Sequence, residues 1–271
     1  MPFAIQELQG AYKAYQQFLA RNPPAHHARY IFPFFAGSYF AYRKVDIQRV
    51  AAITNSVSEN PSYVDIGCGY GDFLEKVRRF VSNATGIEKE GGIFYVFQVS
   101  KPDYIQLMPV EGLSEPLDVA FVGWMEPGQD FRRFVARRAK CVITTFDAGG
   151  QCGINGGCEY DEFGFQRVAW WRTPSWIDVN AELMNRYYTP SLDAKKKQEL
   201  AGLRTAHNFW YVYAKPNNAG RIKSGLQSQL EKEDHGDRFD FESVLDECGF
   251  RYKEELPALA TNRKLWEVTF D

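Results

Sequence analysis

The residues with the clearest chemical purpose lie in one stretch, Val64-Asp65-Ile66-Gly67-Cys68-Gly69-Tyr70-Gly71-Asp72-Phe73-Leu74. Three glycines at alternate positions allow positive φ and let a ligand reach the backbone with no Cβ in the way. A β-rich run, Ser62 to Ile66, precedes them, and Phe73, Leu74, Val77 and Phe80 follow at helical spacing, so the loop is a strand-to-helix turn. A helix starting there presents unpaired N–H groups and a partial positive charge. Glu88 falls 17 residues after Gly71, at the end of the next strand candidate, where a carboxylate can accept from two ribose hydroxyls. Strand before, helix after and acid at the second strand end agree on a nucleoside-containing ligand. The plain alternative is a glycine turn beside a surface acid.

A dinucleotide site calls for G-x-G-x-x-G, whereas here the order is Gly67-x-Gly69-x-Gly71 followed by Asp72, an anion that would repel a pyrophosphate. The pattern Asp65-x-Gly67-x-Gly69-x-Gly71 resembles motif I of the class I S-adenosylmethionine (SAM)-dependent methyltransferases. The resemblance implies that SAM is the cofactor, with its methionine portion facing the glycine loop. It further implies that Asp65, Gly67, Cys68, Gly69, Gly71 and Phe73 lie against SAM and that Glu88 holds its ribose. SAM carries an ammonium and a sulfonium, so nearby carboxylates attract it. The implied fold is α/β, a doubly wound, mostly parallel seven-stranded sheet ending in an antiparallel hairpin.

The elements that must position these residues read as follows. Residues 3–19 have the spacing of an amphipathic helix, an aromatic run occupies 30–42, and a second helix covers 45–57. Strand candidates follow at 62–66, 84–88, 104–108, 117–123 and 140–146, with helices between them at 73–80, 93–99 and 130–138. Residues 147–235 break that rhythm, with possible helices at 181–187 and 193–203 and a strand at 209–214. A helix at 241–248 with Gly249 as its C-cap and a strand pair at 251–256 and 264–270 match the expected hairpin. The organisation expected is an N-terminal helical and aromatic cap (1–58), a SAM-binding core (59–149), a long insertion after the fifth strand that sets substrate choice (150–235), and a C-terminal completion of the sheet (236–271).

Ligands of open α/β sheets bind outside the carboxyl ends of the strands. The fourth strand candidate runs into Trp124-Met125-Glu126-Pro127, in place of the Asn/Asp-Pro-Pro-Tyr/Phe that many family members acting on amide or exocyclic nitrogens carry. Trp124 can pack on cofactor or substrate, or simply on the core. Glu126 can orient or deprotonate a nucleophile, or stand as a solvated loop acid. Asp147, after the fifth strand, is the second catalytic candidate. In the aromatic run, Tyr39, Tyr42 and Arg43 can reach the SAM carboxylate or the substrate, the arginine through its fork geometry. Our set is therefore Glu126 and Asp147 as catalytic, Arg43 and Trp124 added to the cofactor contacts, and Tyr39 and Trp124 toward the substrate. In-line methyl displacement from a sulfonium does not demand a general base.

The remaining features narrow the class. Lys+Arg 32 against Asp+Glu 34 leaves a net charge of −2, which argues against a nucleic-acid partner. No apolar stretch is long enough for a transmembrane helix. The start shows no secretory signal, and the five cysteines are scattered, so a cytoplasmic protein with free thiols is expected. Cys152-x5-Cys158 has no second ligand pair, so no metal is expected. His26-His27 reads as surface, Lys195 to Lys197 as a solvated helix face, and Trp170, Trp171 and Trp176 as a satellite core or a cage for a cation. The expectation is a SAM-dependent methyltransferase acting on a small-molecule or protein nucleophile and releasing S-adenosylhomocysteine. The competing readings are a methyltransferase-like binding subunit without catalysis and a nicotinamide-dependent oxidoreductase. Acceptor atom and oligomeric state do not follow from the sequence.

Overall fold

A computed structural model describes residues 42–147 (except 97 and 127), 158–173, 208–234 and 266–271, with a few helical positions between 10 and 20. Eight strands among these residues form one sheet in the order β3-β2-β1-β4-β5-β7-β6-β8. They are β1 (Tyr63–Ile66), β2 (Ala84–Glu88), β3 (Ile105–Leu107), β4 (Leu117–Gly123), β5 (Ala139–Asp147), β6 (Gln166–Thr173), β7 (Asn208–Ala214) and β8 (Thr269–Phe270). The first five run parallel, and β7 is antiparallel to both β5 and β6. β1 is buried along its whole length, as a central parallel strand covered on both faces must be.

One face of the sheet is packed by α1 (Lys44–Asn55), α2 (Asp72–Arg78) and α5 (Pro216–Leu230), around Phe73, Phe121, Trp171, Trp210 and Val212. The other face holds Ile66, Val122, Val142, Phe146 and Tyr213 against α4 (Arg132–Ala136). α3 (Gly92–Val96) follows β2 near the sheet edge.

The structure shows an antiparallel pair inside the 150–235 stretch expected to be an insertion: β6 pairs with β7, which falls on the strand expected at 209–214, and β8 pairs with β6. β6 escaped the sequence reading for a local reason. Its burial does not alternate, and the register shifts between Arg167 and Ala169, so the strand lacks a period-two signature. α5 was also not foreseen, because its Pro, Asn and two Gly residues weaken helix propensity. Gly225 is needed there: a Cβ at that position would run into Ser56 Oγ just beyond α1. The helices expected at 181–187, 193–203 and 241–248, the strand at 251–256, Tyr39, Cys152 and Trp176 lie outside the described residues.

A buried polar knot ties the ends of the chain to the sheet. Asp46, fully buried, accepts from the indole N–H of Trp171 (2.7 Å) and of Trp266 (2.9 Å) and from the Arg43 backbone N–H (2.8 Å). Arg49 forms a two-pronged ion pair with Glu233 at 2.5 and 2.6 Å and donates to the Trp266 carbonyl. Burial pushes the Asp46 carboxyl up, while Arg49 and the three donors hold it down. Among the described residues no helix is long and apolar enough to cross a membrane.

Candidate functional site

The strand order reverses beside β1: the chain winds outward through β2 and β3 on one side and through β4 and β5 on the other. Such a switch point leaves a crevice at the strand ends, and the glycine loop sits there. Gly67, Gly69 and Gly71 have φ of 69°, 58° and 89°, all left-handed, which a residue with a Cβ adopts only at a cost. The loop is fixed by its backbone. Gly67 and Cys68 both donate to the Ile87 carbonyl (2.9 and 3.1 Å), and Gly71 donates to the Cys68 carbonyl (3.0 Å). A Cβ placed on Gly67 would meet nothing within 4 Å, so open space lies over that part of the loop.

Three carboxylates surround the loop. Glu88, at the end of β2, accepts from Gly69 N–H through Oε2 (2.9 Å) and from Lys89 and Glu90 N–H through Oε1 (2.8 and 3.3 Å). Asp72, opening α2, accepts from the Tyr42 hydroxyl at 3.2 Å. Asp65, the third residue of β1, is 3% exposed. Burial pushes its carboxyl well above the usual range, and the charges of Asp72 and Glu88 push it further. Among the described residues no ion pair reaches Asp65 or Glu88, and no group of His, Cys, Asp and Glu is placed to hold a metal ion. The Cys68 thiol, buried beside these acids, is likewise pushed up, first by burial and then by Asp65 and Glu88, so it stays a neutral thiol.

Of the other expected residues, Phe73 stacks on Phe121 (4.7 Å between centroids) and takes the edge of Tyr42 (5.0 Å), so it braces α2 on the sheet. Arg43 caps the start of α1, with its guanidinium 5.2 Å from the Trp266 ring centroid. Trp124, half-buried, has a left-handed backbone (φ 61°), and its N–H donates to the Thr145 carbonyl (2.9 Å). A bulky residue in that region is a genuine outlier of the kind that clusters at binding sites. Glu126 is exposed on the loop beyond β4. The backbone of Asp147 ends β5 opposite Asn208, and its side chain is outside the described residues.

Sequence reasoning missed a buried polar seam at the same end of the sheet. Thr145 Oγ1 donates to Asn208 Oδ1 (2.9 Å), and Asn208 Nδ2 (2.9 Å) and Trp210 Nε1 (3.0 Å) both donate to Thr173 Oγ1. Threonine in a β-rich run reads as an ordinary strand former. Asn208, a residue depleted in strands, was the signal available.

No protein-family model and no curated protein matches the chain. Solved structures do. A YcgJ protein from Bacillus subtilis is 13% identical, with 64% of this chain and 97% of that one covered, at a TM-score of 0.42. A geranyl diphosphate C-methyltransferase from Streptomyces coelicolor, solved with Mg2+, geranyl diphosphate and S-adenosyl-L-homocysteine, is 8% identical over 63% and 79%, at 0.42. A geranyl diphosphate methyltransferase solved with SAM is 8% identical over 72% and 92%, at 0.44.

Proposed function

We propose that this chain is a SAM-dependent methyltransferase that transfers a methyl group to a small-molecule or protein nucleophile and releases S-adenosylhomocysteine. One observation carries the reading: a loop of three left-handed glycines at the switch point of the sheet, bordered by acids with no ion pair to Asp65 or Glu88 among the described residues. A pyrophosphate would meet like charge there. A ligand that brings an ammonium and a sulfonium finds attraction. The residues fit the cofactor: the space over Gly67 is open, the loop backbone is already fixed, and Glu88 keeps lone pairs for ribose hydroxyls.

When bound, SAM supplies a methyl group already activated on a sulfonium. In this reading Gly67, Cys68, Gly69 and Gly71 cradle the cofactor, Asp65 faces its cationic amino-acid end, and Glu88 takes the ribose. Phe73 and Tyr42 hold α2 and Asp72 in place. Trp124 closes the crevice on the β4 side, where Glu126 and Asp147 are the groups available to orient or deprotonate the acceptor. Asp147 ends β5 beside the Thr145–Asn208–Thr173 seam, which gives the acceptor side rigid walls. Calorimetric titration of the purified chain with SAM, S-adenosylhomocysteine and NAD tests the reading. Micromolar binding of the first two with none of the third is expected; NAD binding alone overturns it.

A further inference from the structure

This inference rests on the cofactor reading above and concerns what the site does with a proton. Asp65 is 3% exposed and accepts no hydrogen bond among the described residues. Among the described residues no cation acts on it. Tyr63 on its own strand and Cys68 in the loop are uncharged, and both are pushed up, first by burial and then by Asp65 itself. Asp72 faces it from α2 and Glu88 from β2. Its register partners in β2 and β4 are Gly86 and Phe121, which do not titrate. The other two acids have donors, three backbone N–H groups for Glu88 and the Tyr42 hydroxyl for Asp72. A buried carboxylate with neither donor nor cation, set beside two further acids, takes up a proton in preference to standing charged. A cation delivered by a ligand reverses that balance.

We propose that Asp65 is a neutral carboxylic acid in the ligand-free chain and ionises when the cationic amino-acid end of the cofactor enters, so that binding ejects a proton. The O–H bond of Asp65 breaks, the proton passes to solvent, and the carboxylate left behind faces the ammonium. The acid cluster therefore makes cofactor occupancy rise with pH, by up to about tenfold in association constant per pH unit while the free acid stays protonated.

The test is calorimetry on the full chain in two buffers of different ionisation enthalpy, phosphate and Tris, at the same pH. The probes are SAM, S-adenosylhomocysteine and methylthioadenosine, which keeps the nucleoside and lacks the amino acid. For SAM and S-adenosylhomocysteine the observed heats are expected to differ between buffers by about one proton's worth of buffer ionisation. Methylthioadenosine is expected to show no such difference. Asp65→Asn, close in shape to the neutral acid, is expected to bind SAM more weakly and with identical heats in both buffers. Equal heats for SAM in the two buffers, or a buffer difference that persists in Asp65→Asn, overturns the proposal while leaving the cofactor reading intact. No SAM binding at all defeats the cofactor reading and this proposal with it. Should the variant fail to fold, the wild-type contrast between S-adenosylhomocysteine and methylthioadenosine still decides.

Discussion

Gly69 and Glu88 meet across the mouth of the glycine loop, the backbone N–H of one donating to the carboxylate of the other at 2.9 Å. This bond joins the end of β1 to the end of β2, and Lys89 and Glu90 N–H hold the second oxygen. The acid is thereby oriented before any ligand arrives, which lowers the ordering cost of binding. Glu88→Ala removes both the tie and the proposed ribose acceptor. Hydrogen bonds to a charged group contribute about 1.5–3 kcal/mol, so SAM affinity is expected to fall by roughly 10- to 100-fold. Calorimetry reads this directly, and unchanged affinity removes Glu88 from the site.

The loop glycines differ in what they tolerate. Gly67→Ala enters open space and carries only the left-handed backbone cost, about 1–2 kcal/mol. Gly71→Ala carries the same cost and also drives its Cβ to 2.6 Å from Ile105 Cδ1, so that the buried Ile105 side chain must repack. Urea unfolding is expected to rank Gly71→Ala as the more destabilised. Gly67→Ala is the one expected to weaken SAM binding out of proportion to its stability loss, since its Cβ points where a ligand would lie.

Two aspartates give stability opposite pH dependences. The Asp65 carboxyl is raised in the folded chain, so the fold binds more protons there than the unfolded chain does. Its contribution is fully present below an unfolded pKa of about 3.9 and is lost as pH rises from there toward the folded value. Asp118 runs the other way. Burial pushes its carboxyl up, but donors from Lys140, Ser62 N–H and Ser58 outweigh that and hold it low. Its stabilisation is present above an unfolded pKa of about 3.9 and is lost as pH falls through the folded value. Thermal melts of the ligand-free chain should therefore show Asp65→Asn above wild type by a margin that grows as pH rises above about 3.9 toward the folded value. Asp118→Asn should lie below wild type at neutral pH and converge with it in acid. A flat difference for Asp65→Asn removes the buried-proton account.

The parallel half of the sheet was legible because each strand is short, apolar and followed by a helix with a clear period: β4 occupies the expected residues 117–123 and β2 the expected 84–88. The glycine loop was legible because positive φ restricts residue type so strongly. In the antiparallel half β7 falls on the strand expected at 209–214, but β6 was missed. β6 carries its bulge at Arg167/Ala169 and two adjacent tryptophans, Trp170 half-buried on one face and Trp171 buried on the other, so neither period dominates. α5 hid behind Gly220 and Gly225, of which only Gly225 sits where a Cβ would strike a neighbour, Ser56. Pairing across 125 residues, as between Asp46 and Trp171, leaves no local trace at all.

That long-range knot is open to a sharp test. The Asp46 carboxylate accepts from three N–H groups, two of them buried indoles that can only donate. Asp46→Asn preserves the shape but replaces one accepting oxygen with an NH2, so one indole N–H must face a donor. Leaving a buried donor unsatisfied costs about 1–3 kcal/mol, and the repulsion adds to it.

Asp46→Asn should therefore lower the unfolding free energy read from urea titration by that amount and alter the emission of Trp171 and Trp266, while SAM affinity measured below the unfolding range changes little. A large loss of SAM affinity at full stability would instead tie this knot to the cofactor site.

The contact between Gly225 and Ser56 supplies the last prediction. α5 lies against α1 where Ser56 Oγ bonds back to the Ala52 carbonyl at 2.7 Å, leaving no room for a Cβ at 225. Gly225→Ala gains about 1 kcal/mol of helix propensity but forces the two helices apart, an overpacking cost of about 1–3 kcal/mol, so a net loss is expected. Removing the obstruction with Ser56→Gly in the same chain leaves the propensity gain standing. The double variant is then expected to be more stable than the sum of the two single changes, by at least about 1 kcal/mol of coupling in a double-mutant cycle. Additive effects would mean that α5 and α1 do not pack at this contact, and the account of why a glycine-bearing segment forms this helix would fall with it.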